Sequence, residues 1–365
     1  VTVTDDSPKD SPRMADAAPS IDLDVDATPL PINPKKPTVD GFMIGLAVVV
    51  VMAWLLPSPG AAGGVLHPEV LNKVGIALVF FLNGLSLPFA ALRAGTVLWR
   101  LHLVVQLATY GLFPLIGLVL VFVLGHAGLE DNLVLGMFYL CVLPSTVSSS
   151  VAMTAAARGN VPAAVFNATL SSLLGVVLTP LWLSAALGAT GQGLPFAKVV
   201  LDLLTWLVVP LLVGQLVRPI LGAWATRNKK RISLVDRGTV LLLVYTSFCD
   251  SFKEGVFLSH GPTALVVTLV VSFVLLTLVL SLTLLAAKAM GFSTEDRIVA
   301  VFCGSKKTLA SGVPMARLIF GAHPGLSMIL LPIMIYHPIQ LVVCTWLAGK
   351  WARRGPEESL LQRAR

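Results

Sequence analysis

Two lysines stand side by side in the stretch "FCGSKKTLASGVP", Phe302 to Pro314, inside a long apolar run. An ammonium group in such a place can bind a carboxylate or phosphate, stand in permanently for a metal cation, or lose and regain a proton. Lys306 lies nine residues after Arg297 and Lys307 ten before Arg317. At about 1.5 Å per helical residue, each is roughly 13–15 Å from the nearer end of the run. A lysine stem reaches about 6 Å, too short to snorkel its charge to an interface. At the centre of a membrane span each lysine costs about 2.5–3.5 kcal/mol, so the segment must face a protein interior and not lipid. A purely structural reading stands beside the functional ones: serine hydroxyls and backbone carbonyls at a helix break could lock the pair in place.

The rest of the chain says what that interior is. Of 365 residues, 56% are hydrophobic and 12% charged, with a mean hydropathy of +0.85. Soluble domains carry about 25% charged residues. Half that fraction implies an all-α protein that crosses a membrane many times. Residues 1–40, rich in Asp, Pro and Ser, read as a disordered tail and not as a signal peptide. Cys141, Cys249, Cys303 and Cys344 lie in apolar segments without metal spacing and read as small buried hydrophobes. The net charge of +7 does not form a nucleic-acid patch, because the basic residues sit at span ends.

A span needs about 20 apolar residues, and ten candidates follow: Gly41–Pro57, Leu71–Leu87, Leu98–Leu124, Leu133–Ala157, Val161–Leu187, Val199–Leu221, Gly238–Phe257, Pro262–Met290, Ile298–Phe320 and Leu326–Trp351. With the N-terminal tail in the cytoplasm, 20 of the 26 lysines and arginines fall inside and four outside (Lys73, Lys198, Lys253, Arg317), the other two being Lys306 and Lys307. That bias supports ten spans with both termini cytoplasmic. The expected organisation is a first five-span half with the sixth span over residues 41–222, a basic loop at 223–237 containing "RNKKR", the remaining spans at 238–351 and a short tail at 352–365.

Five spans per half make the second half enter the membrane inverted, a recurrent transporter architecture. "SVAMTA" (Ser150–Ala155) in the fourth span and "GVPMAR" (Gly312–Arg317) in the ninth occupy matching places. Both spans look like broken helices: Pro144 precedes "STVSSS", and Gly304, Gly312 and Pro314 surround the lysines. Paired interruptions of this kind point to a binding site near the midplane, tolerated only where protein or a wet cavity covers them. Asp250, near the outer end of the seventh span, either lines a crevice or is a solvated end residue. His337, beside Pro338, reads as a hydrogen-bonded core histidine.

"FFLNGLSLP" (Phe80–Pro88), "LHLVVQLATYGLFP" (Leu101–Pro114), "SSSVAMTAAARGN" (Ser148–Asn160), "FCGSKKTLASGVPMA" (Phe302–Ala316) and "MIYHPIQ" (Met334–Gln340) together resemble the bile acid:sodium symporter superfamily, within the solute carrier 10 group and its SBF-like branch. The resemblance runs from about Gly41 to Trp351. It implies a panel of the first, second, sixth and seventh spans and a core of the others, in which the broken fourth and ninth helices cross. Substrate is then expected between panel and core. By the same resemblance, ion-site positions fall at Ser148, Ser149 and Ser150, at Gln106 or Thr109, and along Asn167–Ser171 with Ser172, so that a sodium ion would meet Ser150, Asn167 and Ser171. The ninth span departs from the pattern. Where sodium-coupled members carry a glutamate two residues before the glycine and a glutamine two after it, this chain has Phe302 and Lys306, with Ser305, Lys307 and Thr308 alongside.

The expected function is a secondary transporter moving a small organic anion, a sterol, a keto acid or another, with a tethered lysine cation replacing a sodium site. No cofactor is expected beyond a possible sodium ion. The lipid bilayer is the surrounding partner, and no sequence pattern specifies an oligomeric state. Enzymatic chemistry would need paired acids, a Ser–His pair or a metal cluster, which the spans lack. A channel or receptor is the alternative class, and a Schiff-base chromophore protein a more distant one. Read as an alternative bacterial start, Val1 places the protein in an inner membrane.

Overall fold

The computed structural model describes residues 41–86, 98–189, 196–253, 256–321, 323 and 325–354. The expected N-terminal tail, and the C-terminal tail from residue 355, lie outside the described residues. Among the described residues every regular element is a helix and there is no strand. In chain order these are α1 (Gly41–Leu55), α2 (Pro68–Ser86), α3 (Trp99–His126), α4 (Asp131–Val142), α5 (Ser148–Ala156) and α6 (Val161–Ala189). Then follow α7 (Phe196–Leu203, Leu204–Val208 and Val209–Arg227 in one run), α8 (Lys229–Lys253), α9 (Val256–Ala289), α10 (Thr294–Ser305), α11 (Leu309–Phe320) and α12 (Leu326–Ala352).

Six of them, α3, α6, α7, α8, α9 and α12, are long and apolar enough to cross a membrane, while α1, α2 and α4 are apolar but shorter. The expected fourth and ninth spans are each divided into two half-length helices, α4 with α5 and α10 with α11. The surface is apolar where a soluble protein's would be polar: Phe122 is 66% exposed, Leu216 78% and Ile220 80%. Water does not tolerate faces of that kind over so large an area, whereas hydrocarbon does. The interior is correspondingly rich in polar side chains, and all four cysteines are buried and unpaired, as expected.

One expectation is corrected. The basic segment 223–237 is not a loop: α7 runs to Arg227 and α8 starts at Lys229, with Asn228 alone between them. Lysine and arginine are good helix formers, so a cluster of charge ends a membrane span without ending the helix that carries it.

Prolines shape two of the long helices from within. In α3, residues Ala108–Leu112 form a π turn in which the Phe113 N–H reaches back to the Ala108 carbonyl. The next two carbonyls, of Thr109 and Tyr110, would both look to residue 114 for a donor, one in π and one in α register. That residue is Pro114, which has none. The same device recurs in α7, where the π turn Leu204–Val208 precedes Pro210.

The described helices pack in two groups. In the first, α2 lies on α7 and α8, and α1 lies on α8; in the second, α3 to α6 and α9 to α12 pack among themselves. The groups meet where α8 touches α11 and α12 and where α7 touches α6 and α11. Within the first group α2 and α7 approach backbone to backbone. A methyl group on Gly84 would collide with the Leu211 carbonyl oxygen, and one on Gly214 with that of Phe81. Small residues permit close crossings of this kind in a membrane. In the second group Arg354, just past α12, donates to the Ala157 carbonyl at the end of α5 (2.8 Å) and lies 4.0 Å from Glu295 at the start of α10.

Gly84→Ala is expected to lower stability by about 1–3 kcal/mol through overpacking. Gly125→Ala, where a methyl group meets nothing within 4 Å, should leave it unchanged or slightly raised. Thermal unfolding of the two variants in detergent checks this, and equal midpoints would refute the close crossing.

Candidate functional site

Residue 144 decides where α4 stops. A residue before proline is pushed out of helical geometry, and Leu143 is extended (φ −67°, ψ 151°). The chain crosses Pro144–Val147 and restarts as α5. The break in the ninth span lies elsewhere than its glycines and proline suggest: Gly312 and Pro314 are inside α11, and Gly304 is inside α10. The residues outside both helices are the lysines themselves and Thr308, with Lys306 (φ −89°, ψ 147°) and Thr308 (φ −88°, ψ 122°) extended. The Thr308 side chain caps α11 by accepting from the Ser311 N–H at 3.3 Å.

What holds this break open is a glutamine. Gln340 of α12 accepts from the Lys307 N–H (2.9 Å) and donates to the Lys307 carbonyl (2.8 Å), so that one side-chain amide satisfies both backbone groups of one residue. Its nitrogen also lies 3.0 Å from Nδ1 of His337. The Thr308 N–H donates to the Pro144 carbonyl at 3.1 Å, which joins the two breaks directly.

Lys306 and Lys307 are both 0% exposed, and neither has a carboxylate partner among the described residues; the ion pairs there are Arg317–Asp250 and Arg354–Glu295. The Lys307 ammonium instead donates to three backbone carbonyls: Leu143 at 2.7 Å, Cys141 at 2.8 Å and Thr109 at 3.1 Å. It also lies 4.1 Å from the Phe113 ring centroid, a cation–π distance. Thr109 offers the carbonyl that Pro114 leaves without a donor. Cys141 and Leu143 offer carbonyls from the C-terminus of α4, the negative end of its dipole, where a cation is favoured. Thr179 caps the carbonyl between them, Val142, at 2.7 Å. Four successive carbonyls, 141 to 144, are thus each given a donor from another segment. Trp182 takes the second carbonyl freed by Pro114, that of Tyr110, at 3.0 Å.

Lys306 is held more loosely, by one hydrogen bond among the described residues, to the Ser149 carbonyl at 2.9 Å, with the Phe302 ring 5.4 Å away. An ammonium has three donors. The C-terminus of α10 is capped by side chains: Ser150 donates to the Phe302 carbonyl (3.2 Å), Tyr336 to that of Ser305 (2.7 Å), and the Ser305 hydroxyl turns back to Val301 (2.6 Å). Tyr139 of α4 donates to Gly312 of α11 at 2.6 Å.

The other expected residues divide between this crossing and its surroundings. Gln106 donates to the carbonyl and side-chain oxygens of Asn167 (3.1 and 3.4 Å), and Asn167 donates to Ala163. Thr109 contributes its carbonyl, while its hydroxyl stays within α3 on Val105. Ser171 accepts from the Ser145 N–H at 2.9 Å, fixing the first break, and its carbonyl accepts from Tyr110. Ser172 bonds within α6, Ser149 contacts Thr146, and Ser148 is exposed. Ser150, Asn167 and Ser171 share no hydrogen-bond partner. Asp250 is away from the lysines, beside Arg317. Gln340, Tyr139, Tyr336 and Trp182 belong to the site although sequence reasoning did not single them out; Gln340 and Tyr336 lay in plain view within "MIYHPIQ".

Residues 40–353 match the model of the SBF-like CPA transporter family. Over 315 residues, 86% of this chain and 93% of the relative, the sequence is 44% identical to "Uncharacterized protein PA2026" of Pseudomonas aeruginosa. It is 40% identical to "Putative symporter YfeH" of Escherichia coli, covering 87% of this chain and 94% of that one. It is 35% identical to "Sodium/bile acid cotransporter 7" of Danio rerio, covering 85% and 95%.

Lys307→Met keeps the stem but strands three buried carbonyls, and is expected to cost about 3–5 kcal/mol. Lys306→Met, which removes one hydrogen bond, should cost clearly less. Thermal unfolding of both variants in one detergent checks the order, and a reversed order would refute the assignment of the cage to Lys307.

Proposed function

The chain belongs to the SBF-like CPA transporter family, and from that premise we propose that it moves a small organic anion by alternating access, with the Lys307 ammonium standing where a sodium ion would otherwise bind. A membrane-embedded secondary transporter is what the family and the six long apolar helices support. The further steps rest on the crossing of the two breaks.

The carrying observation is the cage of three backbone carbonyl oxygens around Lys307 Nζ. Oxygen ligands of this kind are what a hard cation uses in place of water. The ammonium already neutralises them, and a second unit charge 4 Å away would be repelled by about 4 kcal/mol at an effective dielectric of 20. Sodium therefore does not fit beside it. Lys306, equally buried and more sparsely bonded, is the member of the pair with donors left for a carboxylate. The N-terminal ends of α5 and α11 start from the same crossing, and their dipoles also favour an anion.

In this reading the two helix groups are panel and core, and α4 with α5 and α10 with α11 each count as one membrane crossing. Ten crossings in two inverted halves result, with the crossing as the fixed point about which the groups rock. The steep bias of lysine and arginine toward one side supports the reading that both termini are cytoplasmic. The sodium and bile acid in the relatives' name describe those proteins; here a tethered cation makes coupling to sodium unnecessary.

Uptake into proteoliposomes of radiolabelled succinate, pyruvate and taurocholate, with and without an inward sodium gradient, tests this. At least one anion should enter the wild type, with a rate that sodium changes by less than about twofold, while Lys306→Gln should slow entry about tenfold or more. Strong stimulation of the wild type by sodium would sink the replacement of the ion, and failure of all three anions to enter would sink the anion reading.

A further inference from the structure

A second basic centre lies on α11, nine residues beyond Thr308 and so about 13 Å along the helix from the lysines. Arg317 there borders a cavity of about 260 Å³, lined among others by Asn72, Lys73, Asp250, Leu318 and Gly321. We propose that this cavity binds a short-chain carboxylate, whose head group exchanges with Asp250 for the guanidinium of Arg317. The proposal rests on the reading that the chain carries an organic anion, and it names the class of that anion.

The geometry of the charge pair carries the inference. Both terminal nitrogens of Arg317 point at the same oxygen of Asp250, Oδ2, at 3.4 Å. A well-made arginine–carboxylate pair uses two oxygens in parallel, at about 2.7–2.9 Å. Asp250 cannot provide that fork, because its other oxygen, Oδ1, accepts from the Ala62 N–H at 2.7 Å and so is tied to the connection between α1 and α2. A free carboxylate carries no such tie and can present both oxygens. The exchange replaces a long, one-oxygen contact with a bidentate one, and it needs no vacant donor on Arg317. The side chains of Arg317 and Asp250 are 9% and 13% exposed, shielded enough for the difference in geometry to count and reachable from the cavity.

The surroundings select the ligand. Lys73 adds a second positive charge; its Nζ lies 5.7 Å from the Trp206 ring centroid. Among the described residues the cavity wall carries two cations and one carboxylate. Arg317 also donates to Thr246 at 3.3 Å, and Thr246, buried behind the cavity, to Asn72 at 3.1 Å; Asn72 lines the cavity and gives it a polar side for a second oxygen-bearing end. The volume is below the about 300–1,000 Å³ typical of pockets for drug-sized ligands. It suits a mono- or dicarboxylate of a few carbons better than a steroid skeleton. Arg317 belongs to one helix group, and Asp250, Thr246 and Asn72 to the other, so the exchange also loosens a contact between groups.

The test is succinate affinity, measured by calorimetry on the full chain in detergent for wild type, Arg317→Gln, Asp250→Asn and, as a control, the exposed Lys288→Gln. Arg317→Gln should raise Kd about tenfold or more, and Asp250→Asn, which removes the internal competitor, should lower it several-fold. Lys288→Gln should leave it unchanged. If Arg317→Gln does not fold, Arg317→Lys, which keeps the charge and loses the fork, should raise Kd while Asp250→Asn still lowers it. Saturable binding indifferent to both Arg317 and Asp250, or no succinate binding by the wild type, would overturn the proposal. Uptake keeps the two readings apart. Binding that depends on Arg317, in a protein that transports none of the anions, would sink the transport reading and leave the site. Uptake of an anion whose binding ignores Arg317 would sink the site alone.

Discussion

A buried ammonium surrounded by carbonyl oxygens, with no acidic side chain beside it among the described residues, is the contact on which the middle of this protein depends. Two half-helices end in the interior, and each end leaves carbonyls that lipid cannot satisfy. The C-terminus of α4 receives Lys307, Thr179 and the Thr308 N–H; that of α10 receives Ser150 and Tyr336. In return the carbonyls solvate a charge that would otherwise be prohibitively costly at that depth. Each offsets a cost of the other, and the Thr308 N–H on the Pro144 carbonyl holds the break that carries the lysine against the break that the lysine caps.

Pro114 shows how far from the site such a requirement reaches. By withholding an N–H it frees two carbonyls on α3, and two side chains from distant parts of the chain, Lys307 and Trp182, come to them. A proline that would be only a kink in another setting here manufactures an acceptor for a cation.

These relations explain what could be read from the sequence. Lys306 and Lys307 announced themselves because charge in an apolar run is a strong signal, and Pro144 announced the first break because proline restrains the residue before it. The partners of the lysines were hidden, since every residue, proline included, has the same acceptor on its backbone and nothing in the sequence distinguishes Thr109, Cys141 or Leu143 in that role. Gly304, Gly312 and Pro314 drew attention to the ninth span and then proved to lie within helices; the true break needed Gln340, which is on another helix. The cluster "RNKKR" looked like a loop by its polarity, although its residues favour helix. Arg317 was counted as a charge at a membrane face, and its pairing with Asp250 depends on the meeting of α8 and α11, which no local pattern encodes.

Gln340 has one more consequence. Its amide grips the backbone of Lys307 through both its N–H and its carbonyl, while Arg354, just past the far end of the same helix, holds the end of α5 and lies near the start of α10. Helix α12 is therefore a spindle pinned to the broken segments at two heights. Sliding one half-helix past it would cost several bonds at once, so the mechanically easy displacement is of the entire cluster, carried as cargo on its own axle.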